Sequence, residues 1–428
     1  MGWLLKHVIS AILTLTLISD SRGVASLNEH AGYDEDLAKL AVIYCSATYL
    51  EDPSVSNWTF PNQECNARTQ GFNVVETFEG DGTEAFGYIG VDHGNRRIVS
   101  AFKGSSTLRD WVTNLRTWLH YHTACEPGSA EHTFSPTASG NFDEAFSAGD
   151  VRILRERPRA RAYAQTQTLV GNVHFGFCAY YRSLVAKGFG DRVASLADEY
   201  PDYTFFVTGH SLGAAAAAVC AADLTQRLGV AKERVVLYTL GEPRTGDGIF
   251  SEGLQNSVGT LYRVVHRRDI VPHLSLCCHT WGGRCRPDVE TCPYQHPTEI
   301  LYEGDMDPGD PFSVCNSTIG EDYACDSQSV DLSIADHLIY FQMIVGDFCE
   351  KAPNASESFQ TMKARQEKEW AEFDEELRAD YIQLVETSRM SSRPDIGPLE
   401  DDAFWAPEDM RRDESAAAEE ADYEVAVG

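Results

Sequence analysis

The stretch YTFFVTGHSLGAAAAAVCAADL, residues 203–224, constrains the fold of this chain more than any other. An apolar, aromatic run (TFFV) leads into Gly209-His210-Ser211-Leu212-Gly213, and five alanines follow at once. The first part reads as a buried strand and the last as a helix. A Gly-x-Ser-x-Gly turn between them sets the serine on a sharp strand-to-helix corner at a sheet edge. Gly209 and Gly213 leave room for that corner and for a closely packed helix. The helix start then aims backbone N–H groups toward Ser211, where an oxyanion would form. The pentapeptide alone is a weak signal, and a plain structural turn is its bland reading. The strand before it and the helix after it favour a nucleophile.

The neighbouring sequence alternates in the same way. FGFCAYYRSLVAKGFGDRVASLADEYP reads as helical, RVVLYTLG as a strand and LYRVVHRRD as another. Short, continuously apolar strands separated by helices imply an α/β fold, a mostly parallel central sheet with helices on both faces. Upstream, Leu37, Leu40, Ala41 and Tyr44 recur at helical spacing, and EAFGYIGVDHGNRRIVSAFKG reads as a hairpin. Residues 126–171 are polar without a clear period and read as an insertion loop of low order. Residues 277–330 form a cysteine-rich insertion that resists assignment. The folded domain is expected to span residues 26–350. Beyond it, Trp370, Phe373, Leu377, Tyr381 and Leu384 make the apolar stripe of an amphipathic helix over 351–390. Residues 391–428 are acidic and interrupted by Pro394, Pro398 and Pro407, as a disordered tail would be.

Charge and cysteine content narrow the setting. The chain has 65 acidic and 35 basic side chains, a net charge of −30. That argues against nucleic acid and anionic membranes as partners. Residues 351–428 contribute 21 acidic and 9 basic groups, or −12 of that total. At the N-terminus, Lys6 precedes an apolar run of 11 residues, Val8 to Ile18, with small residues Gly23 and Ala25 after it. This reads as a secretory signal over residues 1–25, the alternative being an N-terminal anchor helix. No other run is apolar and long enough for a transmembrane segment. Twelve cysteines fit a secreted, extracellular chain, where disulfides persist. Asn57, Asn316 and Asn354 head N-x-S/T glycosylation sites.

A serine nucleophile needs a base, and the base needs an orienting acid. For this fold the usual chain order is Ser, Asp, His. Asp269 follows an apolar strand and precedes Pro272, so it sits where strand becomes loop; Asp247, one strand earlier, is the competitor. His337 opens an apolar segment at a loop–helix junction, and His296, among cysteines and prolines, is the next candidate base. Cys277, Cys278, His279, Cys285, Cys292 and His296 invite a zinc reading. Their spacing lacks a paired C-x-x-C, and a secreted chain favours disulfides, so no metal and no cofactor is expected.

In order along the chain stand IVSAFKGSST, VHFGF, VTGHSLGAAAA, LGEPRTGD, RVVHRRDIVPHL and ADHLIYF. Together these motifs resemble those of the fungal-type class 3 lipases, a family of the α/β-hydrolase fold, from about Leu37 to Cys349. The resemblance implies Ser211, Asp269 and His337 as a catalytic triad, with the backbone N–H groups of Ser105 and Leu212 as the oxyanion hole. It implies a disulfide between Cys45 and Cys349. It also implies a lid just after Ser105. There the sequence sets Leu108, Trp111, Val112, Leu115, Trp118 and Leu119 on one helical face, which an ordinary packed surface helix would show as well. Lys103 departs from the arginine usual in the family, and the insertions at 126–171 and 277–330 border the expected site.

The expected function is a secreted serine hydrolase that cleaves carboxylic esters of acylglycerols, a triacylglycerol lipase working at a lipid–water interface. A phospholipase or feruloyl-type esterase on the same fold is the near alternative. A catalytically silent secreted binding protein is the alternative from another class. Oligomeric state is not legible in the sequence.

Overall fold

The computed structural model describes residues 32–50, 53–81, 84–106, 108–109, 122–127, 168–280, 284–318, 320–322, 325, 332–351 and 358–391. Among the described residues the first element is helix α1 (Glu35–Ala47), started by the Asp34 carboxylate, which accepts from the N–H groups of Asp36 and Leu37 at 2.9 and 3.1 Å. After α2 (Gln63–Arg68), strands β1 (Phe72–Glu79), β2 (Phe86–Asp92) and β3 (Arg97–Phe102) form an antiparallel meander. Next come β4 (His122–Ala124), β5 (Asn172–His174), α3 (Phe175–Val185) and α4 (Phe189–Glu199). The helical stretch around residue 187 is thus two helices. Gly188 breaks it with φ of 99°, a conformation that costs glycine little.

The strand–turn–helix core follows as β6 (Thr204–His210) and α5 (Leu212–Gln226), then β7 (Val235–Leu240), β8 (Gly246–Asp247), α6 (Gly248–Ser257) and β9 (Thr260–His266). In the cysteine-rich region lie β10 (Pro293–Tyr294), β11 (Glu299–Tyr302) and β12 (Ser313–Val314). The last elements are α7 (Ile334–Leu338), β13 (Ile339–Tyr340), β14 (Met343–Ile344) and the long α8 (Phe359–Ser391).

The main sheet runs β1-β2-β3-β6-β7-β9-β11-β12. From β3 to β11 every pairing is parallel. The fold is that of the α/β-hydrolases, with α1 on one face and α3, α5 and α6 on the other. Alternation along β6 shows why both faces are covered: Phe205 and Val207 enter one buried cluster with α3 and α5, and Phe206 enters the other with α1. The alanines of α5 let it lie close on the sheet, and all of Ala214–Ala218 are buried. A Cβ on Gly213 would come within 2.2 Å of the Phe102 carbonyl oxygen, so only glycine fits there.

Five disulfides join described residues: Cys65–Cys349, Cys125–Cys178, Cys277–Cys285, Cys278–Cys292 and Cys315–Cys325. The expected Cys45–Cys349 pair is therefore replaced by Cys65–Cys349. Cys349 does lie against α1, its Sγ 3.6 Å from the Ile43 carbonyl, but its Cα is 5.5 Å from that of Cys65, within bridging range. Cys45 instead points at the Thr208 hydroxyl inside the core, where burial pushes its thiol up to about 12. The two bridges over 277–292 use up all four cysteines of the zinc-like cluster. Among the described residues no helix is long and apolar enough to cross a membrane.

Candidate active site

Three loops meet at the C-terminal edge of the parallel strands, the usual place for a ligand in such sheets. The first carries Ser211. Directly after β6 the chain turns so sharply that Ser211 takes φ 60° and ψ −129°, left-handed backbone that a side chain rarely adopts. Gly209 permits the turn, because a Cβ there would lie 2.0 Å from the Gly213 carbonyl oxygen. Ser211 makes no side-chain bond to the helix it starts, so its hydroxyl is left for other work. Leu212 is the first residue of α5, where backbone N–H groups have no partner within the helix.

The second loop follows β9 and carries Asp269, fully buried. Its carboxylate receives the Val271 N–H at 2.8 Å and the Tyr340 hydroxyl at 2.6 Å. The third loop carries His337 in the one-turn helix α7. A parallel bridge between Asp269 and Ser333 ties the second loop to the third, and Ser333 N–H donates to the Arg268 carbonyl at 2.7 Å. His337 Nδ1 consequently lies 2.9 Å from the Asp269 carboxylate. Burial would push the Asp269 carboxyl up. The imidazole, the Tyr340 hydroxyl and the Val271 amide outweigh it and hold the carboxyl below the ordinary aspartate range. The same place drives the Tyr340 phenol well above its usual value, through burial first and the carboxylate second.

With Nδ1 given to Asp269, the imidazole presents Nε2 to the site. His337 Nε2 and Ser211 Oγ are both buried, and neither has a hydrogen-bond partner. Buried polar atoms are nearly always paired, so these two orphans, one of them on an imidazole whose other nitrogen is held by a buried carboxylate, are candidates for a catalytic pair. Catalytic hydrogen bonds are often loose before substrate arrives. Backbone passes close to the Asp269–His337 contact: a Cβ on Gly241 would sit 2.5 Å from Asp269 Oδ2 and 2.7 Å from His337 Nδ1.

The segment before the expected lid abuts the serine. A Cβ on Gly104 would lie 2.8 Å from the His210 carbonyl and 3.3 Å from the Ser211 Cβ. Ser105 is the next residue and is half-buried. Tyr180 steadies this segment by donating its hydroxyl to the Lys103 carbonyl at 2.8 Å.

The competitors lie elsewhere. Asp247 caps α6, accepting from Phe250 N–H at 2.9 Å and from the Asn172 side chain at 2.8 Å. His296 is enclosed between Glu242 Oε2 at 3.1 Å and the Pro297 carbonyl at 2.8 Å. Neither meets Ser211. Leu108 is buried; Trp111, Val112, Leu115, Trp118 and Leu119 lie outside the described residues. Asn57 and Asn316 are exposed, and Asn354 is outside the described residues. Sequence reasoning missed Tyr340, His210 and Gly241. Tyr340 stands three residues after His337, but nothing local reveals that its hydroxyl turns back to Asp269.

The fold and the loops define an α/β-hydrolase with serine, histidine and aspartate at one sheet edge. Residues 99–279 match the family model for lipase (class 3). A lipase of Caenorhabditis elegans is 35% identical over 350 residues, 77% of this chain and 86% of its own length. A lipase of Rhizomucor miehei is 35% identical over 287 residues, 66% of this chain and 62% of its own. Among solved structures, a triacylglycerol lipase described as having a serine-protease triad at its catalytic centre superposes with a TM-score of 0.53 at 23% identity. That match covers 74% of this chain and 97% of the other, a likeness of fold. The chain belongs to the class 3 lipase family and is an ester-hydrolysing enzyme of that family.

Proposed function

We propose that this enzyme is a secreted triacylglycerol lipase in which Ser211, His337 and Asp269 act as a triad. The observation that carries the reading is the pair of buried, unpartnered atoms, Ser211 Oγ and His337 Nε2, with Asp269 fixed on the far side of the same imidazole. His337 Nε2 takes the hydroxyl proton as Ser211 Oγ bonds to the ester carbonyl carbon. The backbone N–H groups of Ser105 and Leu212 stabilise the oxyanion. The imidazolium, steadied by Asp269, returns its proton to the leaving alcohol as the ester C–O bond breaks. Water repeats the cycle on the acyl-enzyme and frees the fatty acid. Leu108, Trp111, Val112 and Leu115 belong to a lid over this cleft, and the substrate is met at a lipid–water interface. The sequence at residues 1–25 and the five disulfides support export from the cell.

The test has two arms. An active-site fluorophosphonate should label the wild type at one residue and leave folded Ser211→Ala unlabelled. A series of triglycerides, phospholipids and feruloyl esters should then give the highest kcat/KM on triglycerides. Labelling of Ser211→Ala would remove the nucleophile, and a preference for another ester class would remove the substrate.

A further inference from the structure

The C-terminal helix α8 follows the last disulfide cysteine, yet it docks on the loops that carry the acid and the base. Leu377 and Tyr381 close over Ile270 and Leu274, just after Asp269. Two polar contacts reach the other loop. Asp374 Oδ1 accepts the Ile334 N–H at 2.8 Å, and Arg378 Nε donates to the Leu332 carbonyl at 2.7 Å. Ile334 is the first residue of α7 and His337 the fourth.

A helix of five residues has no stability of its own, because nucleation costs more than one turn returns. The direction of α7, and with it that of the His337 ring, must therefore come from what holds it from outside: His266 and His210 at the Asp336 and His337 carbonyls, Asp269 at the ring, and the contacts at its two ends. At its C-terminal side the chain runs straight into β13, where the Tyr340 hydroxyl is bound to Asp269. At its N-terminal side the Ser333 hydroxyl accepts from Asp336 N–H at 3.2 Å, and Asp374 takes the Ile334 N–H. Asp374 is only 5% exposed, so this bond is shielded from competing water. It reaches the first N–H of α7 from outside the loop that carries that helix.

We propose that Asp374 is a positioning residue for ester hydrolysis: by holding the first N–H of α7 it acts with Asp269, His210 and His266 to set the orientation of His337 toward Ser211. The C-terminal helix is then part of the working enzyme. The proposal rests on His337 being the base. A base displaced by about 1 Å can cost about 100-fold in rate without changing the groups present.

The experiment uses the full chain and a dissolved short-chain ester. Asp374→Ala should lower kcat by about 10- to 100-fold with KM within about two-fold of wild type. Asp374→Asn, which keeps an oxygen acceptor at the same place, should recover kcat to within about three-fold. Rates are normalised to the melting curve of each variant, so that lost protein is not read as lost chemistry. Wild-type kcat in folded Asp374→Ala, or equal loss in Ala and Asn, would overturn the proposal. If Asp374→Ala does not fold, Asp374→Glu moves the acceptor by one methylene; a folded Glu variant with wild-type kcat overturns it equally. His337→Ala is run beside them. An active His337→Ala means the base is misassigned, whereas an inactive one beside a normal Asp374→Ala removes the positioning role alone.

Discussion

The imidazole of His210 lies stacked on that of His337, ring centroids 4.4 Å apart and planes inclined by 24°, with His210 Nε2 2.8 Å from the His337 carbonyl oxygen. A carbonyl can only accept, so Nε2 carries the proton. Nδ1 is then the acceptor for the Tyr49 hydroxyl at 3.2 Å. The residue before Ser211 thus holds the backbone of His337. Burial, with the neighbouring His337 ring second, pushes the His210 pKa down to about 3.

That depression makes stability depend on acid. Between the unfolded value near 6.5 and the folded value near 3, the unfolded chain binds a proton at this ring and the native protein does not. Stability is full above about 6.5 and falls as pH drops through that window. His210→Gln removes the titration, so its melting temperature should fall less steeply with acid than that of the wild type. Calorimetry from pH 7 to 3 should show a difference approaching one proton taken up on unfolding. Parallel curves would mean that the ring titrates normally.

His337→Ala should lose activity as completely as Ser211→Ala, about 10⁴- to 10⁶-fold in kcat, because such residues act as a unit. His296→Ala should keep most of its kcat and lose stability instead, since it takes the imidazole away from the buried Glu242 carboxylate and leaves only the Thr239 and Thr245 hydroxyls to hold it. Steady-state rates together with melting curves separate the two outcomes. An inactive, folded His296→Ala beside an active His337→Ala would move the base to the other loop.

Peptide mapping without reduction should recover Cys65 joined to Cys349, with Cys45 in a reduced peptide. Cys65→Ser should destabilise the protein by about 2–5 kcal/mol, the usual cost of losing a native bridge. Cys45→Ser should leave that bridge unchanged. A Cys45–Cys349 peptide would contradict the present connectivity.

If Trp111 belongs to a lid, the rate on a medium- or long-chain triglyceride should rise steeply once the substrate forms an emulsion. Trp111→Ser should blunt that rise more than it alters hydrolysis of a dissolved ester, because apolar area meeting the interface contributes about 25 cal/mol for each Å². A smooth saturating curve through the solubility limit of the wild type would count against a mobile lid.

Much of the sheet is legible in the sequence because β6, β7 and β9 are buried on both faces and so read as unbroken apolar runs. β11 is not. It begins at Glu299, which is buried against Arg263 of β9, and an ion pair inside a sheet defeats any rule that looks for apolar residues. β1 escapes because it lies at the sheet edge with a bulge after Val74, which breaks its alternation. Ser211 is legible because its strand, turn and helix are contiguous. Asp269 and His337 need chain order and a family likeness as well, since what unites them is a bridge between Asp269 and Ser333 across the fold. Tyr340 and Asp374 act through hydrogen bonds to residues 71 and 40 positions away. The partner of Cys349 was equally hidden, because two cysteines near one helix look alike until the Cα positions are known.

The Cys65–Cys349 bridge has a bearing on α8. It anchors the chain ten residues before Phe359, so the start of that helix can stray no further than about 35 Å from a fixed point on the domain. Within so small a volume, undocking resembles escape from a cage more than dissociation into solution: the local concentration of α8 stays in about the millimolar range, whatever the dilution of the enzyme. Even a weak docking face would then stay mostly occupied, and a free peptide with the α8 sequence would have to reach comparable concentrations to compete.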